Sequence, residues 1–142
     1  MTTNHNYEEA RRYSTGIADE IKALETLLST HDDDEATTAL ATLEQEHVPQ
    51  DEALSTYLNE TALDISYYRS HKADNYELRT VILRTCGGPR CEITRDSNDG
   101  HQIEVTTWEA GETYTYRVTA PTLADYLDQM AEIMTSQMAR RS

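Results

Sequence analysis

The feature that most constrains the fold is the spacing of apolar residues, which changes twice along the chain. In residues 7–61 they recur every three or four positions, which is typical of helices with one buried face. In residues 63–119 they mostly alternate with polar residues, which is typical of strands. After Pro121 the helical spacing returns. The sequence therefore predicts an α+β fold in which helices precede and follow an antiparallel sheet.

Three helices are predicted before the sheet, at residues 7–29, 36–46 and 54–61. The acidic segment 31–34 separates the first two helices, and its Asp side chains are suited to cap the second. Pro49 ends that second helix or begins the third. We expect residues 1–62 to form an acidic helical region and residues 63–142 to form the sheet with a closing helix. The two regions are expected to make one compact domain.

Strands are predicted at residues 63–67, 76–85, 91–95, 101–108 and 113–119. A turn is expected at residues 70–75, and the short turns between the later strands predict a four- or five-stranded antiparallel meander. Residues 81–83 are consecutively apolar, which indicates either a bulge or cover on both faces. The final helix is expected to pack one apolar stripe on the sheet. That stripe contains Leu123, Tyr126, Leu127, Met130, Ile133, Met134 and Met138.

Acidic side chains outnumber basic ones, mostly in the first half of the chain. The 142 residues carry 26 Asp and Glu against 12 Lys and Arg, a net charge of −14. Residues 1–70 account for −11 of this charge and residues 71–142 for −3. Because phosphate recognition needs clustered Lys and Arg, direct binding to nucleic acid or to an anionic membrane is not expected. The asymmetry favours a cationic partner for the first half.

The sequence contains no sign of membrane insertion or export. No apolar run approaches the roughly 18 residues that a membrane span needs, and the first residues hold no apolar signal-peptide core. We therefore expect a cytoplasmic protein with no membrane partner. An intracellular location would also keep its cysteines reduced.

Motifs for metal binding or catalysis are weak. Cys86 and Cys91 are separated by four residues, and a zinc site would need two more ligands, for which only His71 and His101 are near in sequence. We expect a pair of cross-strand thiols and no bound metal. The spacing in residues 96–100 predicts a hairpin turn and not a calcium loop. The sequence has no nucleophile-elbow, phosphate-loop or zinc-protease motif, which favours a protein with no cofactor and no enzymatic activity.

Five arginines fall on the predicted sheet, at Arg79, Arg84, Arg90, Arg95 and Arg117. Together they could line an anion site. We favour the simpler interpretation, in which they pair across strands with acidic residues. The candidate partners are Glu77, Glu92 and Glu104.

The acidic residues of the predicted helices are the strongest candidate for a functional surface. B-DNA carries one negative charge per about 1.7 Å of its axis, and carboxylates fixed on helices can present a comparable line of charge. The candidate partner-binding residues are Asp19, Glu20, Glu25, Asp32, Asp33, Asp34, Glu35, Glu44, Glu46, Asp51 and Glu52. Solubility or adaptation to salt explains the same charge without any partner, and the 2 lysines against 10 arginines fit that alternative.

A series of motifs resembles one group of known proteins. Residues 63–67 read Leu-Asp-Ile-Ser-Tyr, residues 87–89 read Gly-Gly-Pro, and Trp108 lies in a later predicted strand. The series is similar to that of small proteins encoded by bacterial phages and other mobile elements, over about residues 54–134. The resemblance implies a bacterial host and a setting in which small acidic proteins inhibit host defence, as anti-CRISPR and anti-restriction proteins do. It implies no catalytic residues.

Two hypotheses for the function follow. In the first, the chain is a non-enzymatic inhibitor whose DNA-mimic-like acidic face binds the basic nucleic-acid-binding surface of a CRISPR effector or restriction enzyme. In the second, it is an antitoxin, an immunity-type partner or another interaction module, and its acidity serves solubility. The sequence does not distinguish a monomer from a homodimer.

Overall fold

The computed structural model describes residues 5–45, 47–72, 75–86 and 88–141. The helices are α1 (His5–Ser29), α2 (Asp33–Thr42), α3 (Ala53–Thr61) and α4 (Pro121–Arg141), and a 3-10 turn, Gln50–Glu52, leads into α3. The strands are β1 (Asp64–Lys72), β2 (Asn75–Thr85), β3 (Arg90–Asp96), β4 (Gln102–Glu109) and β5 (Glu112–Thr119).

The sheet is a five-stranded meander in which every strand runs antiparallel to its neighbours, in the order β1-β2-β3-β4-β5. The predicted α+β architecture is thereby confirmed. Burial alternates along β3 and β4, because successive side chains of a strand face opposite sides of the sheet. The irregular apolar run in β2 ends at a register shift between Leu83 and Thr85, so the bulge that the sequence left open is present there.

Two predicted boundaries are wrong. The turn expected at residues 70–75 is shorter, since β1 continues to Lys72, which pairs with Asn75 at the start of β2. The second helix ends at Thr42 and not at residue 46. It ends there because Glu44 has a left-handed conformation, with φ of 58°. The amide of Gln45 then donates to the carbonyl of Leu40, the Schellman arrangement that closes many helices.

The helices lie on one face of the sheet, with α1 and α4 directly against the strands and α2 outside α1. Helix α1 lies over β4 and β5, and α4 lies over β1, β2 and β3. Their apolar side chains fill one main core with those of the strands, and burial of each large aliphatic side chain contributes about 1.5–3 kcal/mol. The core is formed chiefly by Ile17, Ile21, Leu24, Tyr57, Ile82, Ile93, Ile103, Val105, Val118, Leu123 and Leu127. Helix α2 packs on the outer side of α1 through Ala23, Leu27, Ala36, Ala39 and Ala53.

Buried polar contacts fix both covering helices on the sheet. The hydroxyl of Ser14 in α1 lies 2.8 Å from that of Thr107 in β4, and both side chains are buried. Arg95 in β3 is 2% exposed and donates through Nε and Nη2 to Asp128 of α4, at 3.1 and 2.9 Å. Arg69 in β1 holds the last turns of α4 through Thr135, at 3.0 Å. None of the helices described is both long and apolar enough to cross a membrane.

Candidate binding surfaces

Seven of the eleven nominated acidic residues are exposed, form no ion pair within the described parts of the chain and do not cap a helix with their side chains. They lie on α1, on α2 and the turn after it, and on the 3-10 turn. The seven, hereafter the outer acids, are Asp19, Asp33, Asp34, Glu35, Glu44, Asp51 and Glu52. Glu46 was nominated with them but lies outside the described residues.

Three outer acids line a shallow groove of about 730 Å³ between α1 and α2, namely Asp19, Asp34 and Glu35. The groove also contains Lys22, whose ammonium donates to the hydroxyl of Tyr116 at 3.2 Å and lies 5.0 Å from the centre of that ring. Its threonine hydroxyls are occupied within the helices, as Thr26 and Thr38 donate to carbonyls of their own helix. Oε2 of Glu35 accepts from the Thr30 hydroxyl at 2.6 Å, whereas the carboxylates of Asp19 and Asp34 are exposed. These carboxylates are the negatively charged groups that the groove offers to a partner.

Glu20 was nominated for partner binding, but the fold uses it. Its Oε1 accepts from the Tyr57 hydroxyl at 2.7 Å and from Nη1 of Arg84 at 3.2 Å. Arg84 also donates to the Tyr57 hydroxyl. Burial of the Tyr57 side chain is the largest cause that raises its pKa above the ordinary value. These three side chains join α1, α3 and β2, so Glu20 is a structural residue.

Two further nominated acids cap helices. Oε1 of Glu25 in α1 accepts from the backbone amide of Leu123 at 2.8 Å, which satisfies a free donor in the first turn of α4. Oδ1 of Asp32 accepts from the amides of Asp34 and Glu35 at 2.8 and 3.1 Å and caps α2. The sequence predicted this capping role for the segment, yet it also placed Asp32 on the binding face.

The strand arginines are paired, but mostly not with the predicted partners. Arg84 and Arg95 reach helices, where they bind Glu20 and Asp128. The remaining pairs, on the sheet and its turns, are Arg79 with Asp96, Arg90 with Glu92, and Arg117 with Asp99 and Glu104. The Arg117–Glu104 pair, at 3.7 Å, matches the expected cross-strand geometry with an expected residue. Sequence spacing could not reveal that helices would supply the partners of the two least exposed arginines.

The two cysteines are free and differ in environment. Cys86 is exposed, whereas Cys91 is buried and its Sγ accepts from the Thr107 hydroxyl at 3.2 Å. Burial raises the pKa of the Cys91 thiol above its ordinary value. Within the described ranges, no three His, Cys, Asp or Glu side chains come together as a metal site. Cys91 therefore acts as a core side chain that extends the Ser14–Thr107 contact.

An apolar groove, not predicted from the sequence, lies between α3 and α4. It has a volume of about 240 Å³, and at its base lie sheet residues that neither helix fully covers. Its lining comprises Leu28, Asp51, Leu54, Ser55, Leu58, Ile65, Tyr67, Ile82, Tyr126, Leu127 and Met130.

The same region corrects the prediction of a single apolar stripe on α4. Leu123 and Leu127 are buried together with three small side chains, Ala124, Ala131 and Thr135. Tyr126, Met130, Ile133 and Met134 are exposed, and the side chain of Met138 lies outside the description. The signal was present in the sequence, since seven apolar residues in 16 positions form a stripe too wide for contact with one sheet face.

The chain was compared with protein-family models, with curated proteins and with solved structures, and none of the three comparisons found a match.

Proposed function

We propose that this protein is a non-enzymatic inhibitor that binds, through its outer acids, the basic nucleic-acid-binding surface of another protein. A CRISPR effector or a restriction enzyme is the class of target that we infer. The outer acids take the place of nucleic-acid phosphates, and the sheet and α4 hold the helices that carry them. The acting compartment in this proposal is the cytoplasm of a bacterial host.

The observation that carries this proposal is the contrast between the two halves of the chain. On the sheet side, six acidic residues form ion pairs with arginines: Glu92, Asp96, Asp99, Glu104, Asp128 and Glu132. On the side of α1, α2 and the 3-10 turn, the seven outer acids are exposed and form no ion pair within the described residues. Unpaired charge concentrated on one layer produces a directed field, which attracts a cationic surface and accelerates its association.

The alternative, an interaction module whose acidity serves only solubility, predicts no special role for this layer. Charge that serves solubility acts wherever it is exposed, so its position is unimportant. Under the proposed function, equal charge changes at two places should have unequal effects. Position therefore separates the two hypotheses.

The test is inhibition of DNA cleavage by a panel of purified RNA-guided nucleases and restriction endonucleases. We expect the protein to inhibit at least one of them, and excess DNA to relieve the inhibition. Raising NaCl from about 50 mM to about 300 mM should weaken the inhibition, because added salt shortens the distance over which exposed charges attract one another.

Two triple variants provide the matched comparison. The outer variant is Asp19→Asn, Asp34→Asn and Glu35→Gln, and the control is Glu60→Gln, Glu109→Gln and Glu112→Gln, which removes the same charge elsewhere. We expect the outer variant to inhibit at least tenfold more weakly and the control to change by less than about twofold, since local charge steers encounter. Equal effects of the two variants, or no inhibited nuclease in the panel, would contradict the proposal.

A further inference from the structure

The apolar groove between α3 and α4 leaves part of the sheet uncovered. At its base are Ile65 and Tyr67 of β1, which are only partly buried, beside Ile82 of β2. Leu58 of α3 and Met130 of α4 also line it. Side chains in such a position lose the contacts that a third covering element would provide. The groove therefore favours an apolar occupant.

The apolar surface continues along α4 beyond the groove. Tyr126 and Met130 line the groove and are 46% and 42% exposed, and Ile133 and Met134 extend the surface at 53% and 38%. At 1.5 Å per residue, this exposed stripe is about 12 Å long. A compact ligand that filled only the groove would leave Ile133 and Met134 in water. The surface therefore suits an elongated occupant that runs beside α4.

Charge determines which elongated occupant fits. Among the described residues that line the groove, Asp51, one of the outer acids, is the charged side chain. Asp125 on α4, which precedes Tyr126 in the sequence, is also exposed. The next two acids along α4, Asp128 and Glu132, form ion pairs with Arg95 and Arg69. A second copy of this chain would bring another net charge of −14 to the same place. A cationic occupant would instead find the opposite charge beside the apolar surface.

We propose that the groove and the exposed stripe of α4 bind a basic amphipathic helix of a partner protein. Apolar side chains spaced three or four residues apart on that helix contact Met130, Ile133 and Met134, and one of them enters the groove. Lysine or arginine side chains beside them face Asp51. This mode of recognition places the apolar face of a helix in an apolar groove. The inference rests on the proposed function, because it takes the partner to be cationic. It adds that the partner binds this groove with a helix.

The experiment uses a synthetic probe, a fluorescein-labelled peptide of about 18 residues with leucine at helical spacing and lysine elsewhere, long enough for about five turns. A second peptide has the same composition in scrambled order, and therefore the same charge without an apolar face. Binding is measured by fluorescence anisotropy in about 0.15 M NaCl, where exposed charges are screened beyond about 8 Å. We expect the ordered peptide to bind at least tenfold more tightly than the scrambled one.

Three single variants locate the binding. Met130→Ser and Ile133→Ser should each weaken binding of the ordered peptide about tenfold, because an apolar contact is lost without a change in charge. Trp108→Ser is the matched control, because Trp108 is 38% exposed and the alternation along β4 directs it to the opposite face of the sheet. It should change binding by less than about twofold. All three positions are partly exposed, and circular dichroism verifies that the variants fold.

Three outcomes would overturn the inference. Equal binding of the two peptides would mean that charge alone attracts them. Full binding to both groove variants would place the peptide elsewhere. If the parent protein sediments as a dimer and the Met130→Ser variant as a monomer, the occupant is a second copy of the chain. None of these outcomes depends on nuclease inhibition. The proposed function is tested separately, by whether the outer variant still inhibits a nuclease.

Discussion

Acidic residues on the two sides of α1 have opposite relations to the fold. Toward the sheet and α4, Glu20 binds Tyr57 and Arg84, and Glu25 caps α4. Toward α2 and solvent, Asp19 and Asp34 are exposed and form no ion pair with described residues. Neighbours in sequence, such as Asp19 and Glu20, thus have unrelated roles.

The difference shows that net charge alone is a poor guide to a binding surface. A carboxylate that already accepts from an arginine or a helix amide offers less to a partner, because moving it would leave a buried donor unsatisfied. An exposed carboxylate with no such contact can bind a cation at little cost to the fold. The inner acids, Glu20 and Glu25, should therefore matter more for stability than the outer acids. The loss should be largest where a buried donor loses its acceptor.

The largest effect is expected for Asp128→Asn. This change leaves Arg95, which is 2% exposed, without its counterion, and breaking a buried pair typically costs about 3 kcal/mol or more of unfolding free energy. The matched control is Asp99→Asn, because the Arg117–Asp99 pair is similar in distance but exposed on both sides. That control should lower the unfolding free energy by less than about 1 kcal/mol. Urea unfolding measures both, and similar losses would mean that burial of the pair is unimportant.

The second prediction concerns two neighbouring acids. Glu20→Ala removes the acceptor of both Tyr57 and Arg84, and we expect it to lower the unfolding free energy by about 2 kcal/mol. Asp19→Ala removes no such contact and introduces a better helix former, so it should be neutral or slightly stabilising. Thermal unfolding of the pair of variants gives the comparison. Destabilisation by Asp19→Ala equal to that of Glu20→Ala would contradict the division into inner and outer acids.

The third prediction separates the cap of α2 from its exposed neighbour. Asp32→Ala should cost about 1 kcal/mol, because the amides of Asp34 and Glu35 lose their acceptor. Asp33→Ala should cost less than about half of that, since it loses only a favourable interaction with the helix dipole. The readout is the urea midpoint of each variant. A larger loss from Asp33→Ala would reverse the assignment of the cap.

The smallest effect is a gain. Glu44, an outer acid, has a left-handed conformation that glycine adopts without a steric penalty. Glu44→Gly should therefore raise the unfolding free energy by about 0.5–1 kcal/mol, because relief of about 1–2 kcal/mol of left-handed strain outweighs the entropy that glycine adds to the unfolded chain. Glu35→Gly is the control, because it lies inside α2 and should be destabilising by a similar amount. A loss of stability in Glu44→Gly would show that its side chain has a structural role.

The sequence predicted the element order well because alternation and helical spacing record which side of each element is buried. In the described residues, five strands and four helices occur where these periods indicate. The position at which α2 ends was predicted wrongly, since the residue types around Glu44 do not indicate a left-handed conformation. The α4 stripe was predicted with the right residues but the wrong width, because periodicity does not say how much of a stripe a neighbour will cover.

The candidate surface was harder to predict for a different reason. Glu20, Glu25 and Asp32 are indistinguishable from the outer acids by type and local spacing. Their partners are Arg84, the amide of Leu123, and the first turn of α2. The first two are 64 and 98 residues away in sequence. Only the folded chain brings them together, whereas the capping of α2 by Asp32 is local and was foreseeable.

The salt dependence of stability tests most directly whether the outer acids are unpaired in the folded protein. If the outer acids are unpaired, they repel one another in the folded state, and added NaCl should raise the unfolding free energy by screening that repulsion. The triple variant Asp19→Asn, Asp34→Asn and Asp51→Asn should retain the stability of the parent within about 1 kcal/mol and show a smaller rise with salt. A parent whose unfolding free energy falls with salt, together with a strongly destabilised variant, would show that these acids are bound within the fold and are not available to a partner.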